Sequence, residues 1–341
     1  MEIRGVQSVE YNVAQYCFPS NNLSCLREMR TRSETVIMYI FFSALSGCTV
    51  FLNLLVIISI SHFKQLHTPT NLLILSLAVA DFVVGLIVMP IESIRMIENC
   101  WYFGVIFCSL FPFILYLVVS ASLGNLVFIS IDRFIAVNDP LRYNSKVTMR
   151  KTMFCIFLSW FCSIVYAVIL LYDHLCNPVV HSSCVGQCTV VSDYAVAMTD
   201  LIVTFLSPCM AMISLYVRIF HTARKQIKLI TAAASNVCQL HSKAVVAKKS
   251  EHKAAKTLGV VVLMYLICWI PYYICILTMS TISTSSLTIN IFSWFMYSNS
   301  CINPIIYAFF YPWFKTSAQH ILSRKILDKS SSFRNLFPEN S

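Results

Sequence analysis

Seven stretches of this chain are almost continuously apolar, and the polar residues are concentrated between them. Each stretch reaches about the 20 residues that cross the hydrocarbon core of a bilayer. Backbone that lies in lipid must satisfy its own hydrogen bonds, so each stretch is predicted to be a helix. The pattern predicts an all-α membrane protein, a seven-transmembrane helix bundle with spans at residues 36–60, 71–91, 105–131, 152–172, 194–217, 257–279 and 287–311.

This pattern divides the chain into an N-terminal segment, 1–35, a membrane domain, 36–311, and a C-terminal part, 312–341. In the last part, apolar residues recur on one helical face, which predicts a short amphipathic cytoplasmic helix on the inner leaflet. Those residues are Phe314, Ala318, Ile321 and Leu322. The composition, 57% hydrophobic and 12% charged, excludes a soluble domain.

The basic residues give the orientation of the bundle. Of the 25 Lys and Arg residues, 20 lie in the segments 61–70, 132–151, 218–256 and 312–341. Positive charge is typical of the cytoplasmic side, so the N-terminus is predicted to be extracellular. The glycosylation sequon at Asn22 agrees with that orientation. The net charge of +10 is therefore expected to face lipid headgroups and cytosolic partners, and not nucleic acid.

Cysteines and catalytic motifs limit the remaining functional classes. Seven cysteines fall in the predicted outer segments, where oxidising conditions favour disulfides, and an odd number leaves at least one unpaired. The chain shows no metal-ligand spacing, phosphate-binding loop, dinucleotide fingerprint or GxSxG motif. We therefore expect neither an enzyme nor a protein with an organic cofactor.

An ordered set of motifs resembles the rhodopsin-like, or class A, G-protein-coupled receptors. The set consists of Asn53, Asp81 in "LAVAD", "DRF" at 132–134, Trp160, Pro208, "CWIP" at 268–271 and "NPIIY" at 303–307. Within that class, "NSCINPIIYAFFYPWF" at 299–314 is similar to the fingerprint of the trace amine-associated receptors. The resemblance implies a multi-pass plasma-membrane receptor for protonated amines that raises cAMP through a stimulatory or olfactory heterotrimeric G protein.

The resemblance also implies which residues carry the signal. Arg133 is expected to hold the resting state by pairing with Asp132 and with Glu251 at the base of the sixth helix. The other positions that match the family's switch and G-protein contacts are Tyr216, Asn303, Pro304, Tyr307, Pro140 and Leu141. Two positions depart from the family pattern, because Phe134 and Tyr265 replace the usual Tyr and Phe. Both keep an aromatic ring, so we expect altered tuning of the switch.

A second set of residues matches the polar cluster that binds sodium and water in related receptors. It comprises Asp81, Ser122, Asn299 and Asn303. A buried carboxylate needs partners, which favours such a cluster on physical grounds. A purely structural polar cluster without an ion is the alternative.

Two disulfides are implied by the resemblance. One joins Cys108 at the top of the third helix to Cys188, and the other joins Cys25 to Cys184. The pairing of Cys17, Cys100 and Cys176 is left open.

The third helix lacks the acid with which most amine receptors bind an ammonium group. That position lies five helical turns before Arg133 and is occupied by Leu115. Asp200 instead lies within the fifth apolar span, on a face shared with Thr204 and Ser207. An acid inside a membrane span is functional by default. The arrangement resembles a fish branch of the family in which the amine-pairing Asp is on the fifth helix. The alternative is an Asp that only bonds to Thr199 or Thr204.

Aromatic residues and a second acid complete the predicted ligand site by family position. Aromatic faces attract cations, although ordinary helix packing is the alternative for each of them. The candidates are Thr204, Tyr116, Trp269, Tyr272, Tyr273, Tyr297 and Glu92. A diamine could span Asp200 and Glu92, but Glu92 could equally pair with Arg95 or face water.

Two alternatives to an amine receptor stay open. Leu115 permits a rhodopsin-like receptor for a non-amine ligand. A transporter is the alternative of another class, but the chain shows no internal repeat of the kind that transporters carry. A ligand-dependent rise in cAMP without substrate flux separates the receptor from the transporter.

Overall fold

The structure is a computed structural model that describes residues 16–27, 30–176, 184–188, 194–234, 242–278, 286–327, 331–333 and 336. Seven long helices run through these residues and are named the first to the seventh helix in chain order. Their bounds are Arg32–His62, Pro69–Glu98, Gly104–Asn138, Met149–Leu170, Tyr194–Asp200 continued through Leu201–Leu206 and Ser207–Ala234, Ser242–Thr278, and Ser286–Phe310. The seven-helix bundle predicted from the hydrophobic pattern is therefore confirmed.

The helices begin at residues that the sequence marks as caps. Thr31 accepts a hydrogen bond from the backbone N–H of Glu34, whose side chain bonds back to Thr31. The side chains of Thr68 and Thr148 cap the second and fourth helices by accepting one hydrogen bond each, from the backbone N–H groups of Asn71 and Lys151, which have no partner within the helix. By length and composition, six of the helices in the described residues could cross a membrane. The more polar seventh helix packs against the sixth and the first within the same bundle.

The helix boundaries differ from the apolar spans mainly at one end of the bundle. The third and fifth helices end beyond their apolar spans, at Asn138 and Ala234, and the sixth helix begins before its span, at Ser242. The end of the bundle at which the first helix begins is called the outer end here, and the opposite end the inner end. The short helix Pro312–Leu322 follows the seventh helix and packs Trp313 and Phe314 against the bundle. Ser317 also donates a 2.9 Å hydrogen bond to Ser59 of the first helix.

Small residues let neighbouring helices approach closely. A Cβ on Gly85 would lie 2.9 Å from Cγ2 of Thr49, and Ser46 donates a 2.7 Å bond to the Gly85 carbonyl. A Cβ on Gly124 of the third helix would lie 3.3 Å from Cβ of Ser159 on the fourth helix. Such contacts are common in membrane bundles, where close backbone packing replaces the hydrophobic effect.

Within the described residues, two helices contain a π-helical turn, which the hydrophobic pattern does not reveal. These turns cover Val84–Val88 in the second helix and Leu201–Leu206 in the fifth helix. A π-turn adds one residue to a helical turn, so side chains beyond it are rotated relative to an unbroken α-helix. Both turns lie beside cavities in the bundle, with Val84 at a small one and Leu201 at a large one.

Candidate functional site

A cavity of about 620 Å³ opens between the helices at the outer end of the bundle. Its lining comes from the second to the seventh helices and includes Cys188. Six of the eight predicted ligand residues line this cavity: Glu92, Tyr116, Asp200, Tyr272, Tyr273 and Tyr297. Trp269 instead borders a smaller cavity, and Thr204 lies between Asp200 and Tyr273.

Asp200 lies at the start of the π-helical turn of the fifth helix and is held by hydroxyl groups. Tyr166 of the fourth helix donates a 2.5 Å hydrogen bond to its Oδ1, and Thr204 donates a 3.1 Å bond to the same oxygen. The Thr204 hydroxyl also makes a 2.7 Å bond with Tyr273. Among the described residues, no basic side chain forms an ion pair with Asp200. The site therefore holds a carboxylate without a counter-charge from the described part of the protein.

Tyr166 was not predicted as a site residue, and Ser207 was predicted on the wrong side of the fifth helix. Tyr166 has the only hydroxyl group in the stretch "IVYAVIL" at 164–170, and that hydroxyl was the one sign in the sequence of a polar contact. The predicted polar stripe joined Ser207 to Asp200 and Thr204, but Ser207 is exposed on the outside of the bundle. The prediction was wrong for Ser207, because the π-helical turn adds a residue and rotates the following side chains.

Stacked aromatic rings connect Asp200 with the centre of the bundle. Tyr273 stacks on Trp269 with ring centroids 5.9 Å apart, and Trp269 stacks on Tyr265 at 5.2 Å. Phe205 of the fifth helix lies 4.5 Å from the Tyr273 ring. Contacts of this kind are worth about 0.5–1.5 kcal/mol beyond buried area, so they stabilise the packing of these rings against one another.

Glu92 is engaged in an ion pair on its own helix. Nη2 of Arg95 donates a 2.6 Å bond to Oε2 of Glu92, and Nε donates a 3.2 Å bond to the same atom. Of the roles considered for Glu92 from sequence, the structure shows the pair with Arg95. Leu115 also lines the cavity, so the usual acid position on the third helix is apolar in this site.

Asp81 lies in a fully buried polar cluster beneath the cavity. Its Oδ1 accepts hydrogen bonds from Ser122 at 3.2 Å and Ser300 at 2.9 Å, and its Oδ2 accepts one from Asn303 at 2.8 Å. Ser300, and not the predicted Asn299, is therefore a hydrogen-bond partner of Asp81 in the described structure. Asn299 instead borders the adjoining cavity of about 20 Å³, together with Ser122 and Ser300.

Arg133 lies in a second polar cluster at the inner end. Its Nη2 donates to Asp132 at 2.5 Å, to Tyr143 at 3.3 Å and, at close range, to Thr70. The Tyr143 hydroxyl donates a 2.7 Å bond to Asp132. Burial and the Asp132 charge raise the pKa of Tyr143 to about 12, so this hydroxyl keeps its proton at neutral pH. The side chain of Glu251 lies outside the described residues, and Thr70 and Tyr143 were not predicted.

The remaining predicted switch residues lie near this inner cluster. Tyr307 is buried, and its hydroxyl has no hydrogen-bond partner within the described structure. The hydroxyl of the half-buried Tyr216 has no partner there either. Pro140 and Leu141 lie in a short turn after the third helix, where the Leu141 side chain is 98% exposed.

Three disulfides join the segments at the outer end. The structure contains Cys108–Cys188 and Cys25–Cys184, the two pairs that the resemblance implies. It also contains Cys17–Cys100, for which the sequence left the pairing open. Cys176 is the one of the seven outer cysteines that is not in a disulfide in the described structure. Asn22 of the sequon is exposed in the same N-terminal segment.

Comparison with known proteins agrees with this architecture. Residues 52–307 match the family described as 7 transmembrane receptor (rhodopsin family). The chain is 39% identical over 339 residues to Trace amine-associated receptor 13c of Danio rerio, covering 97% of this chain and 99% of that receptor. It is 42% identical over 336 residues to Trace amine-associated receptor 8b of Mus musculus, with coverage of 95% and 97%. Trace amine-associated receptor 6 of Homo sapiens is 41% identical over 335 residues, with coverage of 96% and 96%.

The protein has a bundle of membrane-spanning helices, a cavity at one end of it and a buried Arg133 cluster at the other. It is a multi-pass membrane receptor of the rhodopsin family of G-protein-coupled receptors. Within that family, the chain belongs to the trace amine-associated receptors. These relatives are receptors and not enzymes, which confirms the prediction of a non-enzyme.

Proposed function

We propose that this protein is a plasma-membrane receptor for protonated amines. Its relatives carry the name of trace amine-associated receptors, and its cavity contains an acid among aromatic rings. In this proposal residues 1–35 are extracellular, 36–311 form the receptor domain and 312–341 lie in the cytosol. The excess of basic residues in the inner segments supports that orientation.

Asp200 is the counter-ion for the amine in this proposal, and its surroundings are the observation that carries it. Tyr166 and Thr204 both bond to Oδ1, and the Tyr273 side chain also lies within hydrogen-bonding reach of the carboxylate. An ammonium group can bond to Oδ2 while Tyr166 and Thr204 keep their bonds to Oδ1. The rings of Tyr116, Tyr272 and Tyr273 line the same cavity and can face the cation.

The aromatic stack gives the ligand a route to the centre of the bundle. A ligand held at Asp200 contacts Tyr273, which stacks on Trp269 and through it on Tyr265. The sixth helix that carries this stack also contains Pro271, which removes one backbone hydrogen bond and permits a bend. A ligand that fits the active arrangement better shifts the population of the receptor toward it.

A sodium ion fits the polar cluster around Asp81 as an allosteric ligand. Sodium prefers oxygen ligands, and the carboxylate of Asp81 with the hydroxyls of Ser122 and Ser300 supplies them. Oδ1 of Asn303 is buried and has no partner in the described structure, which leaves a fourth oxygen. The adjoining cavity of about 20 Å³ is large enough for about one water molecule. The ion would compensate the buried charge of Asp81 and favour the resting arrangement.

The inner end is the proposed contact for a stimulatory or olfactory G protein, with a rise in cAMP as the response. Leu141 is 98% exposed beside the Arg133 cluster, which suits an apolar anchor for a partner protein. The family position of Pro140 and Leu141 supports the same contact.

Substitution of Asp200 tests this function directly. Asp200→Asn keeps the size and hydrogen bonding of the side chain but removes its charge. Breaking one side of a desolvated ion pair costs about 3–5 kcal/mol, so we expect the potency of every amine agonist to fall more than about a hundredfold. A panel of amines is measured twice, by cAMP response in cells and by the ligand-induced shift of thermal unfolding of the purified receptor.

The matched control is Asp173→Asn, an exposed acid at the outer end that does not line the described cavity. Surface expression of each variant is measured in parallel. Amine responses that survive Asp200→Asn unchanged would contradict the counter-ion role. Thermal shifts without a cAMP response would keep the amine site and reject the proposed G-protein type.

A further inference from the structure

The charged residues that line the cavity lie on two separate helices, the second and the fifth. Among the described lining residues, the charged ones are Asp200 on the fifth helix and Glu92 and Arg95 on the second helix. The second helix packs against the first, third, fourth and seventh helices, and the fifth packs against the third and sixth. The two charged positions therefore face the cavity from different sides of the third helix.

The ion pair on the second helix presents its cation to the cavity and hides its anion. The Glu92 side chain is 6% exposed and the Arg95 side chain is 42% exposed. Both hydrogen bonds between them use one carboxylate oxygen, Oε2 of Glu92. A ligand that enters the cavity therefore meets the guanidinium of Arg95 before it meets the carboxylate.

Arg95 keeps hydrogen-bonding capacity for a ligand. A guanidinium has five N–H groups in a planar fork that matches a carboxylate. The bonds to Glu92 come from Nε and Nη2, and in the described structure no group accepts from Nη1. The free N–H groups can hold an anion while the ion pair with Glu92 stays intact.

The space between the two charged positions suits a short hydrocarbon chain. Leu115 and Tyr116 of the third helix line the cavity, together with Tyr272 and Tyr297. These side chains offer ring faces and methyl groups, which pack well against methylene groups.

We propose that this cavity selects amines that carry an anionic group at the far end, of which ω-amino acids are the simplest class. The ammonium group binds Asp200 and the carboxylate binds the free N–H groups of Arg95. This assignment rests on the proposed amine site at Asp200 and adds the chemistry of the opposite end of the ligand.

The same geometry disfavours diamines, which two acids in one cavity would otherwise bind. Glu92 is buried and already paired, so the second ammonium of a diamine would face the guanidinium of Arg95. Like charges at close range repel, which weakens binding. Removal of Arg95 would release Glu92 as a free acid and reverse this preference.

The test uses sets of probes that share one chain length and differ only at the far end. One set is δ-aminovaleric acid, its methyl ester, n-pentylamine and cadaverine, and a second set built on ε-aminocaproic acid varies the length. Binding to the purified full-length receptor is measured as the ligand-induced shift of thermal unfolding, so the result does not depend on the G-protein type. For the wild type we expect the amino acid to bind about tenfold or more tightly than its ester or plain amine.

Two variants and one matched control distinguish recognition from a structural effect. Arg95→Gln should remove the preference for the amino acid, leave the plain amine within about threefold of the wild type, and raise the affinity for the diamine. Glu92→Gln should leave Arg95 in place and keep the preference for the amino acid. Arg27→Gln is the control, because Arg27 pairs with Glu98 and does not line the described cavity.

The outcomes separate this inference from the proposed function. Amino acids that bind no better than their esters, or an Arg95→Gln variant that loses all probes equally, would overturn the inference while leaving the amine site intact. Plain amines that bind Asp200→Asn as they bind the wild type would instead overturn the amine site, and with it the ammonium half of the inference. Reversal of preference from amino acid to diamine in Arg95→Gln supports both.

Discussion

At the scale of single residues, the Asp200 carboxylate is oriented by one hydroxyl from its own helix and one from the fourth helix. Tyr166 and Thr204 both donate to Oδ1, so the carboxylate is held in one orientation from two helices. Sequence periodicity predicted that Asp200 faces the interior, because a charge in lipid is costly. It did not predict Tyr166, since contact between two helices depends on their packing, which periodicity does not encode.

Tyr166→Phe tests whether this orientation matters for the ligand. The variant removes the 2.5 Å bond to Asp200 and keeps the ring. A hydrogen bond to a charged group is worth about 1.5–3 kcal/mol, and only the part that orients Oδ2 affects the ligand. We therefore expect amine potency to fall about tenfold, less than in Asp200→Asn.

The control for that variant is Tyr172→Phe, because Tyr172 is an exposed tyrosine just beyond the same helix. Agonist concentration–response curves at matched surface expression give the measurement. A gain in potency for Tyr166→Phe would mean that Tyr166 competes with the ligand for the carboxylate.

At the scale of helices, the apolar spans predicted the elements but not their internal irregularities. The π-helical turn at Leu201–Leu206 turned Ser207 away from the polar stripe, and Thr204 kept its predicted side. A π-turn depends on the balance of neighbouring contacts, whereas hydrophobic spacing reports only which face is apolar. Helix caps, by contrast, were readable because they depend on residues close in sequence, as at Thr31.

Gly124 gives a prediction about helix packing. Gly124→Ala gains helix propensity of about 1 kcal/mol, but the added methyl group would contact Ser159 too closely. Overpacking costs about 1–3 kcal/mol, so we expect a net loss of stability. Thermal unfolding of the purified receptor in detergent should show a midpoint lower by a few degrees.

Two further variants check the cause of that loss. Gly124→Ala combined with Ser159→Ala removes the hydroxyl that the methyl group meets, so part of the stability should return. Gly47→Ala is the control, because nothing lies within 4 Å of a Cβ at that position. Equal loss in the Gly124→Ala variant with and without Ser159→Ala would rule out the contact as the cause.

At the scale of the whole molecule, three polar sites follow one another along the bundle within a largely apolar interior. They are the Asp200 cavity at the outer end, the Asp81 cluster beneath it and the Arg133 cluster at the inner end. The family motifs predicted the residues at the centre of each site. Thr70 and Tyr143 lie outside every quoted motif and were not predicted, whereas Ser300 lies within the fingerprint at 299–314, where its neighbour Asn299 was predicted instead.

The Arg133 cluster makes a prediction about the receptor without ligand. Tyr143 and Thr70 hold Arg133 and Asp132 together at the inner end, so their loss should weaken the resting arrangement. One hydrogen bond contributes about 1 kcal/mol, which changes the ratio of two states about fivefold. Tyr143→Phe should therefore raise ligand-free signalling up to about fivefold, and addition of Thr70→Val should raise it further.

Lys146→Gln is the matched control, because Lys146 pairs with Asp139 in an exposed position of the same loop, where such pairs contribute little. Basal response at equal surface expression is the measurement, and unchanged basal response in the double variant would show that this cluster does not restrain the receptor.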